Sequence, residues 1–158
     1  MNEKVTVKSL YRVGIVVRNA EEKFKMFERY LGADRSTVEI TDTMAPGTRF
    51  KDLTMDGEPL LFHTKFLIFP LSNIEIELIE PLDDKGPYAK FLAEHGEGVQ
   101  HFNIEVDDQD KFHRIMEEIG AADVTSGQLE NTNYRYFDTR DAFGVILETC
   151  KRKPFEEP

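Results

Sequence analysis

The sequence has a single cysteine and no long apolar run, and these shortages exclude several classes of protein. Cys150 has no partner within the chain, so an internal disulfide is impossible. The longest apolar stretches, such as residues 66–69, have the length of a strand and fall far short of the roughly 20 residues that span a bilayer. The start of the chain, Met1–Lys4, also lacks the apolar run of a signal peptide. We therefore expect a cytoplasmic protein with no membrane partner.

Basic residues are scarce as well. The chain has 20 Lys and Arg residues against 30 Asp and Glu residues, which gives a formal net charge of −10. Binding to a nucleic-acid backbone needs clustered cations, whereas the cations here are scattered among acids. We therefore expect no nucleic-acid partner. With 158 residues, 40% of them hydrophobic, the chain is long enough to bury a substantial core, and we expect one domain over residues 1–158.

The chain contains an internal repeat, because residues 11–34 resemble residues 100–123. Each segment begins with an alternation of apolar and polar residues, passes through two polar residues and continues into an amphipathic stretch that ends in Gly-Ala. The apolar stripes of the two predicted helices are Phe24, Phe27 and Leu31 in the first and Phe112, Ile115, Met116 and Ile119 in the second.

Three strand-like runs follow each predicted helix, so the sequence predicts an α+β fold of two tandem βαβββ modules. The runs are residues 37–43, 61–69 and 73–79 in the first half and residues 124–129, 134–138 and 145–149 in the second. We place module one at about residues 8–82, a linker helix at about 83–98 and module two at about 99–150. Residues 46–59, with two glycines and two prolines, are predicted to form a longer loop.

The alternation within the strands assigns side chains to the two faces of the sheet. Apolar residues such as Val13, Ile76 and Ile104 should pack against the helices, and their neighbours should face the other way. Four strands then place one polar or charged group each on the face away from the helices: Arg12, Glu77, His101 and Glu148. If these strands curl around a common cleft, the four groups converge.

Each of these groups also has a simpler structural interpretation. A single His or Glu on a strand is usually solvated, and we expect Glu75 and Glu105 to be of that kind. For Glu77, His101 and Glu148, the repeat favours a place in a functional site over simple solvation. For Arg12 the sequence leaves two alternatives open: binding of a ligand, or an ion pair that joins two strands.

Several motifs resemble the vicinal oxygen chelate superfamily, which contains glyoxalases, bleomycin resistance proteins and dioxygenases. The motifs are Val13-Gly14-Ile15-Val16-Val17, residues 76–82, residues 87–101 and Gly144-Val145-Ile146-Leu147-Glu148. They are most similar to those of methylmalonyl-CoA epimerases, and the resemblance covers nearly the whole chain. It implies a curved mixed sheet around one cleft with helices on the outer face, and many members are dimers, so we expect a homodimer.

The resemblance also implies a set of metal ligands and a catalytic base, and this sequence departs from both. The ligand positions fall on Arg12, Glu77, His101 and Glu148, but a guanidinium has no lone pair to offer a metal. We therefore expect no metal while Arg12 turns inward. If Arg12 turns away, Glu77, His101 and Glu148 could bind Zn, Co, Mn or Ni. No organic cofactor is expected.

The position of the epimerase base falls on Leu61, which cannot accept a proton. The nearest titratable groups are Glu58 and His63, and His63 shares a strand face with Leu61. The sequence thus favours an isomerase or lyase that acts on a small acyl or carboxylate substrate. Glu148 and His63 would exchange protons, and Arg12, Glu77 and His101 would bind the acidic ligand. The alternatives are a non-catalytic, resistance-type binding protein and, third, a dioxygenase, for which only His101 stands at a matching position.

Overall fold

The computed structural model of the protein describes residues 3–152. Its first half consists of β1 (Val7–Val16), α1 (Ala20–Leu31), β2 (Glu39–Asp42), β3 (Phe50–Lys51), β4 (Thr54–Met55), β5 (Glu58–Pro59), β6 (Thr64–Leu71) and β7 (Ile74–Pro81). Its second half consists of α2 (Gly86–His95), β8 (Gly98–Val106), α3 (Gln109–Glu118), β9 (Ala122–Leu129), β10 (Thr132–Asp138), α4 (Arg140–Phe143) and β11 (Ile146–Arg152). Within the described range, no helix is long and apolar enough to cross a membrane.

The two repeat helices begin in the same way, as their matching sequences predict. The side chain of Asn19 accepts a hydrogen bond from the backbone N–H of Glu22 at the start of α1, over 3.0 Å. Asp108 accepts one from the N–H of Lys111 at the start of α3, over 2.9 Å. A polar cap of this kind satisfies an N–H group that has no partner inside the helix. The repeat therefore extends from the sequence to local structure.

Nine strands form one sheet in the order β2-β6-β7-β1-β8-β11-β10-β9-β3. The antiparallel pair β1 and β8 lies at its centre, and each has a parallel partner on its other side, β7 for β1 and β11 for β8. The two halves are thus related by an approximate two-fold axis between β1 and β8. Both modules and the curved mixed sheet predicted above are confirmed.

The segment of residues 43–63, which we call the closing segment, departs from the prediction of a loop. Its strand β3 pairs with β9 at the far edge of the sheet, through Phe50 opposite Leu129 and Lys51 opposite Gln128. Strands β4 and β5 form a small hairpin, and the ring of Phe50 stacks on Phe66 of β6 at 5.5 Å. The prediction of a loop over residues 46–59 was wrong here, because the closing segment joins the two edges and the sheet curls almost into a barrel.

Helices cover the outer face of the sheet, as the alternation of apolar residues predicts. Phe24 of α1 packs with Ile76 and Leu78 of β7, and Phe112 and Met116 of α3 pack with Ile104 of β8. A third cluster fills the inner face and includes Val16, Phe66, Tyr88 and Tyr136. Two expectations fail at the helix ends, since Leu31 and Ile119 are exposed. The last turn of each helix extends past the edge of the core beneath it.

Candidate functional site

The four central strands bring the predicted site residues into two adjacent rows. Opposite side chains on neighbouring strands lie on the same face of a sheet, within reach of each other. The strand register gives one row of Glu77, Gly14, His101 and Ile146, and a second row of Glu75, Arg12, Asn103 and Glu148. Arg12, Glu77, His101 and Glu148 therefore lie together although they are far apart in sequence.

The curled sheet encloses a cavity of about 760 Å³ on this inner face. Arg12, Glu77 and Glu148 line it, and His101 lies behind them with no exposed surface. A volume of this size is typical of pockets that hold a small organic molecule. The acidic residues of the lining outnumber Arg12 and Lys151, so a negatively charged ligand meets a net negative charge in the cavity.

His101 and Glu148 form a deeply buried polar pair at the cavity wall. Nε2 of His101 lies 3.0 Å from Oε2 of Glu148, but neither atom makes a well-directed hydrogen bond within the described residues. Nδ1 of His101 lies 3.0 Å from Oε1 of Gln100, an oxygen that can only accept, so Nδ1 carries a proton. The thiol of Cys150 donates to Oε1 of Glu148 over 3.3 Å. Oε2 of Glu148, which faces Nε2 of His101, thus has no hydrogen-bond donor among the described residues.

The imidazole of His101 fits only because residue 14 is a glycine. A Cβ at Gly14 would lie 2.0 Å from Cε1 of His101, and under 3 Å a neighbour must move. Gly14 lies directly opposite both His101 and Glu77, so the ring occupies the space that a side chain at this position would fill.

We expect Gly14→Ala to lower the free energy of unfolding by about 1–3 kcal/mol, because the added methyl group overpacks a filled site. The substitution should also push His101 away from Glu148. Denaturant unfolding measures the first effect, and the chemical shifts of the His101 ring measure the second. Gly127→Ala is a matched control, since its Cβ would meet the ring of Tyr134 on β10 instead of His101. Unchanged His101 shifts in Gly14→Ala would contradict this account.

Arg12 lies between two carboxylates. One guanidinium nitrogen is 3.4 Å from Oε2 of Glu77 and the other is 3.3 Å from Oε1 of Glu75. Burial lowers the pKa of Arg12, but Glu77 and Glu75 raise it more, so the group stays charged. Burial raises the pKa of Glu77 above its ordinary value, while the neighbouring His101 and Arg12 side chains oppose that rise. The structure thus contains the ion pair that the sequence left as one alternative for Arg12.

The sequence profile of the Glyoxalase/Bleomycin resistance protein/Dioxygenase superfamily matches residues 11–137. The chain belongs to this superfamily. No curated protein matches the sequence at a significant level.

Solved structures of several other proteins share the fold. Methylmalonyl-CoA epimerase from Mycobacterium tuberculosis superposes with a TM-score of 0.66 at 22% identity, covering 98% of this chain and 94% of that one. A hypothetical protein from Bacillus halodurans gives 0.64 at 22% identity, covering 95% and 98%. Methylmalonyl-CoA epimerase from Streptomyces coelicolor, solved with 2-nitronate-propionyl-CoA, gives 0.60 at 16% identity, covering 97% and 100%. At these identities the likeness establishes the fold alone.

The metal that the superfamily resemblance implies does not fit the residues at its site. Within residues 3–152, no three or more His, Cys, Asp and Glu side chains are arranged to hold a metal ion. The guanidinium of Arg12 is directed toward Glu77, one of the implied ligands, and would repel a divalent cation there. The donor set is therefore incomplete, and the fixed positive charge of Arg12 lies at one of its positions.

The structure places His63 away from Glu148, the residue with which it was predicted to exchange protons. Nε2 of His63 lies 2.9 Å from the carboxylate of Asp42, and His63 does not line the large cavity. Leu61 is 62% exposed, and Glu58 is exposed on β5. None of these three closing-segment residues is brought to Glu148. The predicted proton exchange between Glu148 and His63 therefore has no geometric support.

The structure adds four residues that the sequence analysis missed. Glu75, expected to be an ordinary solvated residue, is half-exposed but pairs with Arg12. Cys150, Tyr88 and Tyr136 line the cavity. Tyr136 and Cys150 share the strand faces that carry the site, a signal that period-two alternation contains. Tyr88 lies on α2, and only the tertiary structure brings it to β10.

Proposed function

We propose that the chain is an isomerase or lyase that moves a proton on a small acyl or carboxylate substrate, with Glu148 as the base. The observation that supports this most is that Glu148 lines the cavity, while its Oε2 lies 3.0 Å from Nε2 of His101 and has no well-directed hydrogen bond among the described residues. A carboxylate held in this way can accept a proton from a bound carbon acid.

The step we propose breaks a C–H bond beside a carbonyl group. The proton moves to Glu148, and the electron pair of the bond moves to the carbonyl oxygen to give an enolate. The proton then returns to the substrate, so no oxidant or reductant is needed. Arg12 supplies positive charge nearby, and a substrate carboxylate would take the place of the half-exposed Glu75 at its guanidinium. This accommodates the predicted acidic ligand without adding net charge to the cavity.

Epimerisation of methylmalonyl-CoA is a more specific activity within this class, and we expect it to be weak or absent. Inversion at a carbon needs a base on each face of it. The position implied for the second base is Leu61, which cannot accept a proton. No carboxylate or imidazole of the closing segment lines the cavity. Proton exchange with retention, or elimination, needs only the one base that Glu148 provides.

A second candidate is a non-catalytic binding protein, and one observation favours it. The guanidinium of Arg12, the cavity's buried cation, already has two carboxylate partners, so its charge is balanced without a substrate. The dioxygenase alternative has His101 as its single matching residue and gains no support. Homodimer formation and a cytoplasmic location stay predictions.

Solvent deuterium exchange tests the proposal against pure binding. The protein is incubated in heavy water with methylmalonyl-CoA and with a panel of small acyl thioesters and oxo acids, and proton NMR follows the signal of the α-hydrogen. We expect catalysed exchange in at least one small substrate and little in methylmalonyl-CoA. Ligand binding without exchange in any of them would favour the binding protein instead. His63→Ala should leave exchange unchanged, because His63 does not reach the cavity.

We also expect protein purified without chelators to contain little Zn, Co, Mn or Ni, and Arg12→His to gain metal affinity. The substitution removes a positive charge and completes a set of four ligands with Glu77, His101 and Glu148. Elemental analysis of both proteins measures the difference. Arg12→Gln, which removes the charge without adding a good ligand, is the control. Near-stoichiometric metal in the unmutated protein, lost in Glu77→Ala and His101→Ala, would show that Arg12 does not exclude a metal.

A further inference from the structure

Two tyrosines from different parts of the chain meet beside Glu148. Tyr88 lies on α2 and Tyr136 on β10, and the hydroxyl of Tyr88 donates a hydrogen bond to that of Tyr136 over 2.9 Å. Both residues are 2% exposed, and both line the cavity. Their rings are held by edge-to-face contacts, including Tyr88 on Phe66 at 5.5 Å. The hydroxyl pair is therefore fixed in place at the cavity wall.

The pair has one proton more than its own hydrogen bond uses. Two phenols carry two protons, and only one lies between the two oxygens. With Tyr88 as the donor, the hydroxyl proton of Tyr136 has no acceptor among the described residues of the protein. A buried O–H group without an acceptor is costly, so this proton is available to an oxygen atom of a ligand in the cavity.

Both hydroxyls stay protonated over the pH range in which proteins are folded. Burial raises the pKa of Tyr136 well above its ordinary value, and the carboxylate of Glu148 raises it further. Burial likewise raises the pKa of Tyr88. Tyr136 therefore acts as a hydrogen-bond donor and not as a base, which complements the role proposed for Glu148.

The position of Tyr136 suits a shared substrate. Tyr136 is directly opposite Glu148 in the β10–β11 register, so the two side chains lie next to each other on the inner face. The ring of Tyr136 is also 4.4 Å from that of His101, the other neighbour of Glu148. A carbonyl compound in the cavity can thus place its oxygen at Tyr136 and its α-carbon at Glu148.

We propose that Tyr136 donates a hydrogen bond to the carbonyl oxygen of the substrate and stabilises the negative charge that develops there, with Tyr88 as its positioning residue. This proposal rests on the proposed function. In it, Tyr136 is the electrophile, a role that would otherwise be empty because the implied metal does not fit the site. A donor placed where charge develops stabilises the transition state more than the bound substrate. The ligand class is therefore a compound with a carbonyl oxygen next to an acidic C–H bond.

The probe for this donor is 4-nitrophenol, whose anion stands for the enolate oxygen. It is titrated into Glu148→Gln protein, in which the amide replaces the protonated base and no longer repels an anion. We expect 4-nitrophenolate to bind, with the pKa of the bound probe lowered. Adding Tyr136→Phe should weaken binding about tenfold to a hundredfold and return the probe pKa toward its value in water. Adding Tyr88→Phe should weaken binding about twofold to fivefold with a smaller pKa change.

Tyr134→Phe is the matched control, because the ring of Tyr134 lies 6.0 Å from that of Tyr136 but its hydroxyl lies over Gly127. It should change binding less than twofold. Equal weakening by Tyr134→Phe, unchanged binding in Tyr136→Phe, or no binding of 4-nitrophenolate by Glu148→Gln protein would overturn the proposal. If Tyr136→Phe does not fold, the pKa of 4-nitrophenol bound to the Tyr88→Phe variant tests the proposal instead. Deuterium exchange is measured separately, so exchange that survives in Tyr136→Phe refutes the donor role while the proposed function stands.

Discussion

Glu148→Gln should slow α-proton exchange by about two to four orders of magnitude, the usual contribution of a positioned general base. The amide keeps the shape of the side chain and its contact with Cys150, but it cannot accept the proton. The neighbouring carboxylates Glu75 and Glu77 are paired with Arg12, so neither is free to replace Glu148. Initial rates of deuterium uptake in the unmutated and variant proteins measure the effect.

Glu105→Gln is the control for the loss of a negative charge near the cavity. Glu105 lines the cavity from β8 but is exposed, and it accepts a hydrogen bond from the hydroxyl of Ser9. Its substitution should change the exchange rate less than threefold, because screened surface charges contribute little. A Glu148→Gln protein that exchanges as fast as the unmutated protein would remove Glu148 from the role of base.

Arg12→Met should lower the free energy of unfolding by about 3 kcal/mol at neutral pH, because it removes the guanidinium that forms an ion pair with the buried carboxylate of Glu77. The methionine fills a similar volume, so lost packing contributes little. Glu77 is only 4% exposed, and water cannot replace the guanidinium. Denaturant unfolding of both proteins measures the difference.

The loss of stability in Arg12→Met should become smaller as the pH falls. The pKa of Glu77 in the folded protein already lies above its ordinary value, and removal of Arg12 raises it further. A carboxyl group with a raised folded pKa contributes most to stability below the unfolded pKa, and that contribution is lost as the pH rises through the folded pKa. Unfolding at about pH 5 should therefore show a smaller difference than at about pH 8. Arg12→Met combined with Glu77→Gln should recover most of the stability, and a simple sum of two losses would contradict the pairing.

The sequence predicted the faces of the central strands well. Alternation alone placed Val13, Ile76 and Ile104 against the helices and the polar groups on the inner face, because side-chain direction along a strand depends only on local geometry. The internal repeat then indicated which strands occupy equivalent positions. Together these two signals brought Arg12, Glu77, His101 and Glu148 to one surface without any knowledge of contacts.

The features that could not be predicted depend on contacts between distant parts of the chain. Strand β3 has two residues, and nothing in Phe50-Lys51 specifies β9 as its partner. The meeting of Tyr88 with Tyr136 depends on how α2 packs against the sheet. His63 was placed near the site because it shares a strand face with Leu61, but the closing segment turns both away from the cavity. Local pattern gives the face of a strand and not its neighbours in space.

The pairing of β3 with β9 gives the curled sheet one weak side. It consists of two residue pairs, whereas β6 and β7 are joined by eight. Short pairings at the edge of a sheet open locally at a far smaller free-energy cost than unfolding of the whole domain. The cavity wall can therefore part along β3 while the two-fold core around β1 and β8 stays intact. The same strand that completes the enclosure is therefore the part of it that we expect to open first for a molecule to enter or leave.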